Sequence, residues 1–156
     1  MIVVFLWFLI FAGLLKGVSD MNATPFELSF PVAPDDIDWL GHVNNVVYLR
    51  WVQDAAVAHW HELATEQEQA RLLWVVVRHE IDYKRQTFLG DVVIARTWVG
   101  EALRRNFERH TELLRESDGR ILAKARTLWC PIDMSTHRPI AVDDALRARF
   151  SASPVP

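Results

Sequence analysis

The segment from residue 46 to residue 63 constrains the fold most, because its pattern predicts a helix with almost no solvent-exposed face. Apolar side chains recur at intervals of three and four residues, which is the period of a helix. The positions are Leu49, Val52, Ala56, Trp60 and Leu63, and the apolar arc is widened by Tyr48, Trp51 and Ala55. A helix that is apolar over most of its circumference needs cover on nearly every side. We therefore expect it to be buried at the centre of the fold.

Segments of period-two alternation, typical of β-strands, flank this helix. One precedes it at residues 26–32, and four follow it at residues 72–85, 92–99, 106–115 and 120–132. The last two are joined by Ser117-Asp118-Gly119, a strong signal for a hairpin. A short helix is expected near residues 143–150. The sequence thus predicts an α+β fold, in which an antiparallel five-stranded sheet wraps around one long central helix.

The chain length of 156 residues fits one folded domain. Residues 1–20 form an apolar N-terminal extension whose apolar run ends at Lys16, short of the ~20 residues that a membrane-spanning helix needs. We interpret this extension as an over-extended start that precedes the true beginning at Met21, as a membrane anchor, or as a cleaved signal. Residues 21–156 are expected to form the domain itself.

Charge and cysteine content exclude several classes of protein. The formal net charge is −3, and the basic residues are interleaved with acidic ones, so no nucleic-acid partner is expected. Cys130 is the single cysteine, which excludes an intrachain disulfide and a cysteine-rich zinc site and favours the cytoplasm. Cys130 itself ends an apolar run and is expected to be buried. Membrane contact is expected only through residues 1–20.

The segment from Asp38 to Tyr48 joins the first strand to the N-terminus of the predicted helix, where unpaired backbone N–H groups stabilise an anion or an oxyanion. Gly41 allows a tight turn, and either Asn44 or Asn45 can cap the helix. A carboxylate beside such amides has hydrolytic potential. The same residue types also suit a plain capped turn, and His42 suits a structural role as well as a catalytic one.

The motif Asp38-x-x-Gly41-His42-Val43-Asn44-Asn45-x-x-Tyr48-Leu49 resembles the signature of the 4-hydroxybenzoyl-CoA thioesterase-like hotdog family, in particular its bacterial acyl-CoA thioesterase branch. Tyr83-Lys84-Arg85 followed by Gly90-Asp91 extends the resemblance, which covers about residues 24–150. The resemblance implies a hotdog fold and hydrolysis of an acyl-CoA thioester to a free acid and coenzyme A.

The resemblance also implies roles for individual residues. Asp38 matches the catalytic carboxylate, which acts as a general base or as a nucleophile, and the backbone N–H of Asn45 matches the group that receives the thioester oxygen. We extend this oxyanion hole to the amide of Val46. His42 matches a histidine of the similar plant acyl-carrier-protein thioesterases, but Leu40 stands where their catalytic asparagine would be, so His42 ranks below Asp38.

The remaining predicted site residues serve substrate binding. Gly41 and Asn44 shape the loop, and Tyr48 is expected beside the acyl channel. Arg85 is a candidate for the coenzyme phosphates, together with Arg104 and Arg105, because guanidinium groups match phosphate oxygens. The tryptophans are interpreted as core residues rather than as an acyl tunnel.

The proposed chemistry requires neither a metal nor a cofactor. His59 and His61 are two residues apart on the helix and face different directions, which argues against a shared metal. The expected partners are an acyl-CoA or acyl-carrier-protein thioester and further copies of the chain, as a homodimer or tetramer, because the sheet leaves open edges. Two alternatives stay open: a non-catalytic module that binds these thioesters, and a hotdog dehydratase or hydratase pairing a histidine with Asp54 or Glu62.

Overall fold

The computed structural model describes residues 25–103 and 106–150. The predicted extension at residues 1–20 and the candidate phosphate ligands Arg104 and Arg105 lie outside the described residues. The elements in chain order are β1 (Phe26–Pro31), a 3-10 turn (Pro34–Asp36), α1 (Asn45–Leu63), α2 (Glu66–Arg71), β2 (Leu72–Tyr83), β3 (Val92–Leu103), β4 (Asn106–Arg115), β5 (Ile121–Asp133) and α3 (Asp144–Phe150).

The five strands form one antiparallel sheet in the order β1-β3-β4-β5-β2. Strands β3, β4 and β5 are consecutive neighbours, whereas β1 and β2 lie at the two edges. The helix α1 sits between β1 and β2 in the chain and packs against β1, β3 and β4. The predicted α+β hotdog architecture, one long helix covered by a five-stranded antiparallel sheet, is confirmed.

Helix α1 is buried along the side that faces the sheet. Trp51, Val52 and Ala55 are almost inaccessible and belong to a core cluster that includes residues of β3, β4 and β5. A second cluster surrounds the C-terminal half of α1, where α3 contributes Leu146 and Phe150. The prediction of a central buried helix is therefore correct for the sheet-facing side, and these two clusters fix the helix axis relative to the sheet.

The other side of α1 is exposed in a single chain and is less polar than predicted. Arg50, Asp54 and His61 lie there, as expected, but Val46 and Val57 are exposed as well.

Strand β2 changes character at a bulge between Val76 and Arg78. After the bulge the predicted alternation holds only in part: Arg78 and Asp82 face solvent and Ile81 packs against the core, but Tyr83 is exposed. The strand ends at Tyr83, two residues before the predicted end. Before the bulge, three aliphatic side chains on the outward side of this edge strand are exposed. They are Leu73, Val75 and Val77.

Two local features differ from the sequence prediction. The segment predicted as a polar loop contains α2, because Thr65 and Glu68 form a capping box in which each side chain accepts a hydrogen bond from the other residue's backbone. Strand β3 extends four residues beyond the predicted end, to Leu103.

Cys130 is buried as predicted. Within residues 25–103 and 106–150, no helix has the length and apolar character needed to cross a membrane.

Candidate active site

The loop that carries Asp38 is a tight turn placed directly before α1. Ile37 and Val43 form an isolated antiparallel bridge, which closes the turn at its base. The Asp38 N–H donates to the carbonyl of His42 at 3.0 Å, and the Gly41 N–H donates to the carbonyl of Asp38 at 3.0 Å. Gly41 has a φ of 80°, a left-handed conformation that glycine adopts without strain. The role predicted for Gly41 as a turn residue is confirmed.

The Asp38 carboxylate is held by its own loop and remains partly open to solvent. Its Oδ1 accepts the Leu40 N–H at 2.8 Å, and the side chain is 16% exposed. The Nδ1 of His42 lies 3.9 Å from the same oxygen, which is beyond hydrogen-bonding distance. Among the described residues nothing donates to Asp38 Oδ2, so this oxygen is available to a water molecule or a substrate.

The N-terminus of α1 presents one uncommitted amide. The side-chain oxygen of Asn44 accepts the Val46 N–H at 3.0 Å, which makes Asn44, and not Asn45, the helix cap. The Asn45 N–H has no acceptor within the part of the chain that the structure describes. The prediction that the Val46 amide also serves the oxyanion hole is wrong for this geometry, because the cap already occupies it. Asn45 is left as the free donor.

A buried carboxylate that sequence reasoning missed ties this loop to the helix. Asp36 is 3% exposed, and its Oδ1 accepts a hydrogen bond from Arg50 Nη2 at 2.7 Å. Its Oδ2 accepts the Ala33 N–H at 3.0 Å, while its backbone carbonyl accepts the Asn44 N–H at 2.9 Å. The only sequence signal for this ion pair was Arg50, one of several polar residues on the predicted solvent-exposed face of the helix. Asp36 is a positioning residue for the turn.

Two tyrosines fix the start of α1 to the loop after β2. The Tyr48 hydroxyl donates to Thr87 Oγ1 at 2.8 Å and lies 3.2 Å from the carbonyl of Arg85. The Tyr83 hydroxyl donates to the carbonyl of Asn45 at 3.0 Å. Tyr48 is buried, and this burial raises the pKa of its hydroxyl. Its observed surroundings are those of a core residue, and its place beside an acyl channel stays a prediction.

Arg85 lies at the same end of α1 as the turn, because its carbonyl meets the Tyr48 hydroxyl. The side chain is exposed, and its Nη1 donates to the carbonyl of Ile121 at 2.9 Å. The guanidinium therefore has a fixed position and further N–H groups that face solvent. This placement is compatible with a phosphate ligand and leaves the predicted role of Arg85 open.

The histidines of α1 face different directions, as predicted. His59 is buried and accepts a hydrogen bond from Arg109, whereas His61 is exposed and lies 2.9 Å from Gln69 Oε1. In the described part of the chain, no three histidine, cysteine, aspartate or glutamate side chains are grouped closely enough to hold a metal ion.

The predicted core role holds for Trp51, which is 1% exposed in the main core, and for Trp129, which is 7% exposed in the second cluster. Trp74 is partly buried against the second cluster, and Trp98 is half-buried and stacks on His110. Trp74 and Trp129 also line a cavity of about 280 Å³ beside the C-terminal half of α1. This cavity lies away from the Asp38 turn, at the other end of the helix.

Comparison with known proteins agrees with the fold. A family model described as the Thioesterase-like superfamily matches residues 32–150. A thioesterase from Thermus thermophilus, solved in complex with coenzyme A and Zn, is 26% identical, with a TM-score of 0.70 over 81% of this chain and 98% of that one. The 1,4-dihydroxy-2-naphthoyl-CoA thioesterase from Synechocystis is 17% identical, with a TM-score of 0.69 over 80% and 94% of the two chains.

A curated relative is the chloroplastic acyl-acyl-carrier-protein hydrolase FATB3 of Cuphea viscosissima, 29% identical over 76 residues. The matched region is 49% of this chain and spans only 18% of the relative's length. The fold and the family model together define the class, which is that of thioesterase-like hotdog proteins. The chain belongs to the Thioesterase-like superfamily.

Proposed function

We propose that this protein hydrolyses acyl-CoA thioesters, with Asp38 as the catalytic carboxylate and the Asn45 amide as the oxyanion donor. The observation that carries the proposal is that both groups are uncommitted at the same helix terminus. Asp38 Oδ2 and the Asn45 N–H have no partner among the described residues. They are separated in the chain only by the closed turn that precedes α1.

The hydrolysis starts with the thioester carbonyl oxygen on the Asn45 N–H. This donor and the positive end of the helix dipole stabilise the oxyanion that forms when the carbonyl carbon becomes tetrahedral. Losing such a donor typically slows an acyl-transfer enzyme by ~100-fold or more. The Asn44 cap supports this geometry, because it holds the first turn of α1 in place without using the Asn45 amide.

Asp38 acts on water or on the substrate itself. As a general base it takes a proton from water while the oxygen attacks the carbonyl carbon, the C–S bond then breaks, and the thiolate leaves and is protonated by solvent. As a nucleophile it forms a mixed anhydride, which water hydrolyses to regenerate the carboxylate. After a single turnover in ¹⁸O-labelled water, label in Asp38 identifies the anhydride route with water attacking the Asp38 carbonyl; attack at the acyl carbonyl places the label in the product acid, as the general-base route does.

The substrate carrier is proposed to be coenzyme A, with acyl-carrier protein as the alternative. Arg85, exposed at the catalytic end of α1, is the proposed contact for the coenzyme phosphates. The similarity to a protein solved with coenzyme A supports the first carrier, and the similarity to a plant acyl-carrier-protein hydrolase supports the second. His42, 3.9 Å from Asp38, is proposed to orient the loop or a water molecule.

We further propose that the active form is a homodimer or tetramer. Strand β2 is a 12-residue edge strand with Leu73, Val75 and Val77 exposed, and Val46 and Val57 are exposed on α1. Exposed turn residues Trp39 and Leu40 beside Asp38 add apolar surface at the site itself. A second copy would cover these surfaces.

The proposal is tested by free-thiol release from a panel of short, long, branched and aromatic acyl-CoA thioesters, with matched acyl-carrier-protein thioesters. Thiol release above the uncatalysed rate supports hydrolysis. Binding of the thioesters without thiol release would instead make the chain a binding module. Hydration of an enoyl-CoA without thiol release would identify a hydratase.

A further inference from the structure

The cavity beside the C-terminal half of α1 has an unusual lining. Its volume is about 280 Å³, and its walls are largely apolar. The aromatic residues include Trp60, Trp74, Phe107, Trp129 and Phe150. One charged group, the guanidinium of Arg109, also lines it. An apolar cavity with a single buried cation differs from an ordinary packing defect, because packing defects are normally lined by apolar atoms alone.

Arg109 is a buried cation without an anionic partner among the described residues. It is 7% exposed, and its Nη1 donates to His59 Nδ1 at 2.9 Å and to Thr97 Oγ1 at 3.1 Å. Both acceptors are neutral: burial, together with the charge of Arg109, lowers the pKa of His59 to about 4. Burial lowers the pKa of Arg109 to about 10, so the guanidinium still carries its charge at neutral pH. A buried charge of this kind is unfavourable unless an anion is paired with it.

Two of the lining residues each carry a hydrogen-bond donor that is unused. The indole N–H groups of Trp74 and Trp129 are inaccessible to solvent and have no acceptor within the described part of the chain. Trp129 as a whole is 7% exposed. Buried polar groups are nearly always hydrogen-bonded in native proteins. The two indole N–H groups lack an acceptor, and the guanidinium of Arg109, which lines the same cavity, lacks an anion.

We propose that this cavity binds a molecule with an apolar body and a carboxylate end, with the body against the aromatic walls and the carboxylate on Arg109. A carboxylate accepts from two guanidinium N–H groups at once, which fixes its orientation. The apolar body displaces water from aromatic surface, which adds to the affinity. This proposal goes beyond the proposed thioesterase activity, because it assigns a ligand to a cavity outside the Asp38 turn.

Such a carboxylate has two possible sources. One is a free carboxylic acid, such as the product of thioester hydrolysis. The other is the far end of a dicarboxylic acyl group whose thioester lies at Asn45. An α-helix rises about 1.5 Å per residue. Measured from Asn45 along α1, the cavity residue Gln53 therefore lies ~12 Å away. His59, the hydrogen-bond partner of Arg109, lies ~21 Å away. A dicarboxylic acyl group would therefore have to be long to reach Arg109.

The experiment measures binding of decanoate by isothermal titration calorimetry, with 1-decanol as the neutral control. It uses the full chain with Asp38→Asn, so that the result does not depend on thioester hydrolysis. We expect decanoate to bind roughly 10-fold or more tightly than decanol, because the ion pair is lost in the alcohol. Arg109→Met, which keeps much of the side-chain volume, should remove this difference without weakening the binding of decanol.

A second variant keeps the test decisive if Arg109→Met does not fold. Arg109→Lys keeps a cation but loses the planar guanidinium, and it should weaken decanoate roughly 3- to 10-fold while decanol is unaffected. Two results would count against binding of a free acid: equal affinity for decanoate and decanol, or unchanged decanoate binding in both variants. Either result overturns the proposal if the substrate comparison described next is also negative.

The substrate measurement distinguishes the two sources of the carboxylate. On the wild type, kcat/KM is compared between long acyl-CoA thioesters with and without an ω-carboxyl group. A preference for the ω-carboxyl substrate that disappears in Arg109→Met assigns the cavity to the acyl group. Binding of free decanoate without such a preference assigns it to a free acid. Absence of both effects contradicts the proposal, whether or not the protein hydrolyses other thioesters.

Discussion

Asp36 Oδ1 lies 2.7 Å from Arg50 Nη2, and this ion pair ties the loop that carries the candidate catalytic Asp38 to the second turn of α1. The Asp36 side chain is 4% exposed, whereas that of Arg50 is 53% exposed. The carboxylate is therefore the buried partner, and it depends on Arg50 and on the Ala33 N–H for compensation. The position of the turn that carries Asp38 thus rests on a contact outside the family motif.

Replacing Arg50 by Met should lower both stability and turnover. The buried Asp36 carboxylate loses its cation, and a lost charged hydrogen bond of this kind costs about 1–3 kcal/mol in the free energy of unfolding. Urea denaturation measures this loss. Because the turn moves relative to α1, kcat should fall more than KM rises, and Arg50→Lys should restore part of it. Asp54→Ala, also on the exposed side of α1, is the control. Wild-type kcat in Arg50→Met would show that the pair does not position Asp38.

The Asn44 cap gives a second prediction. Asn44→Ala removes the acceptor of the Val46 N–H and should destabilise the protein by about 1 kcal/mol. Asn44→Ser is the matched control, because serine caps helices about as well as asparagine. Thermal unfolding with kcat/KM for both variants checks this. If the two variants are equally stable, the cap contributes less than the geometry implies.

Much of the fold could be predicted from the sequence, because period and capping are local signals. The apolar period of residues 46–63 and the period-two strands after it required a covered helix and an antiparallel sheet, and both are observed. The capping box of α2 was also local, with Thr65 three residues before Glu68, but the polar composition of this segment indicated a loop.

The candidate site was less predictable, because its supports come from distant parts of the chain. The motif identified Asp38 and the helix start, but the choice between Asn44 and Asn45 as the cap depended on backbone geometry. The partners of Arg109 come from α1 and β3, and no local pattern links them. A buried arginine in an alternating strand looks like any other polar residue of that strand until the sheet register is known.

The proposed oligomer predicts that the β2 edge tolerates charge poorly. Val75→Lys places an ammonium on the exposed outward side of this edge strand, where lysine disfavours strand pairing. Ser29→Lys makes the same change at an exposed position of β1, the opposite edge. Light scattering after size exclusion should show a smaller mass only for Val75→Lys. A wild-type mass for both variants would place the subunit contact elsewhere.

The lowered pKa of the buried His59 should make the free energy of unfolding depend on pH. Its pKa is lowered to about 4 in the fold, against 6.5 when unfolded. Between these values the unfolded chain binds the extra proton, so stability falls as pH decreases from 6.5 towards 4. From pH 7 to pH 5 this contribution is on the order of 2 kcal/mol. His59→Gln should reduce the slope of unfolding free energy against pH in this window. The same slope in both proteins would contradict the low pKa of His59.

The central claim, that Asp38 is the catalytic carboxylate, is tested most directly by comparing kcat of the wild type with that of Asp38→Asn on the best thioester substrate. Asparagine keeps the side-chain oxygen that accepts the Leu40 N–H, so the turn should persist. Asp35→Asn, an exposed carboxylate of the same loop, is the control. We predict that Asp38→Asn lowers kcat by ~100-fold or more with an unchanged melting temperature, while Asp35→Asn behaves as wild type. Wild-type turnover in Asp38→Asn would contradict the claim.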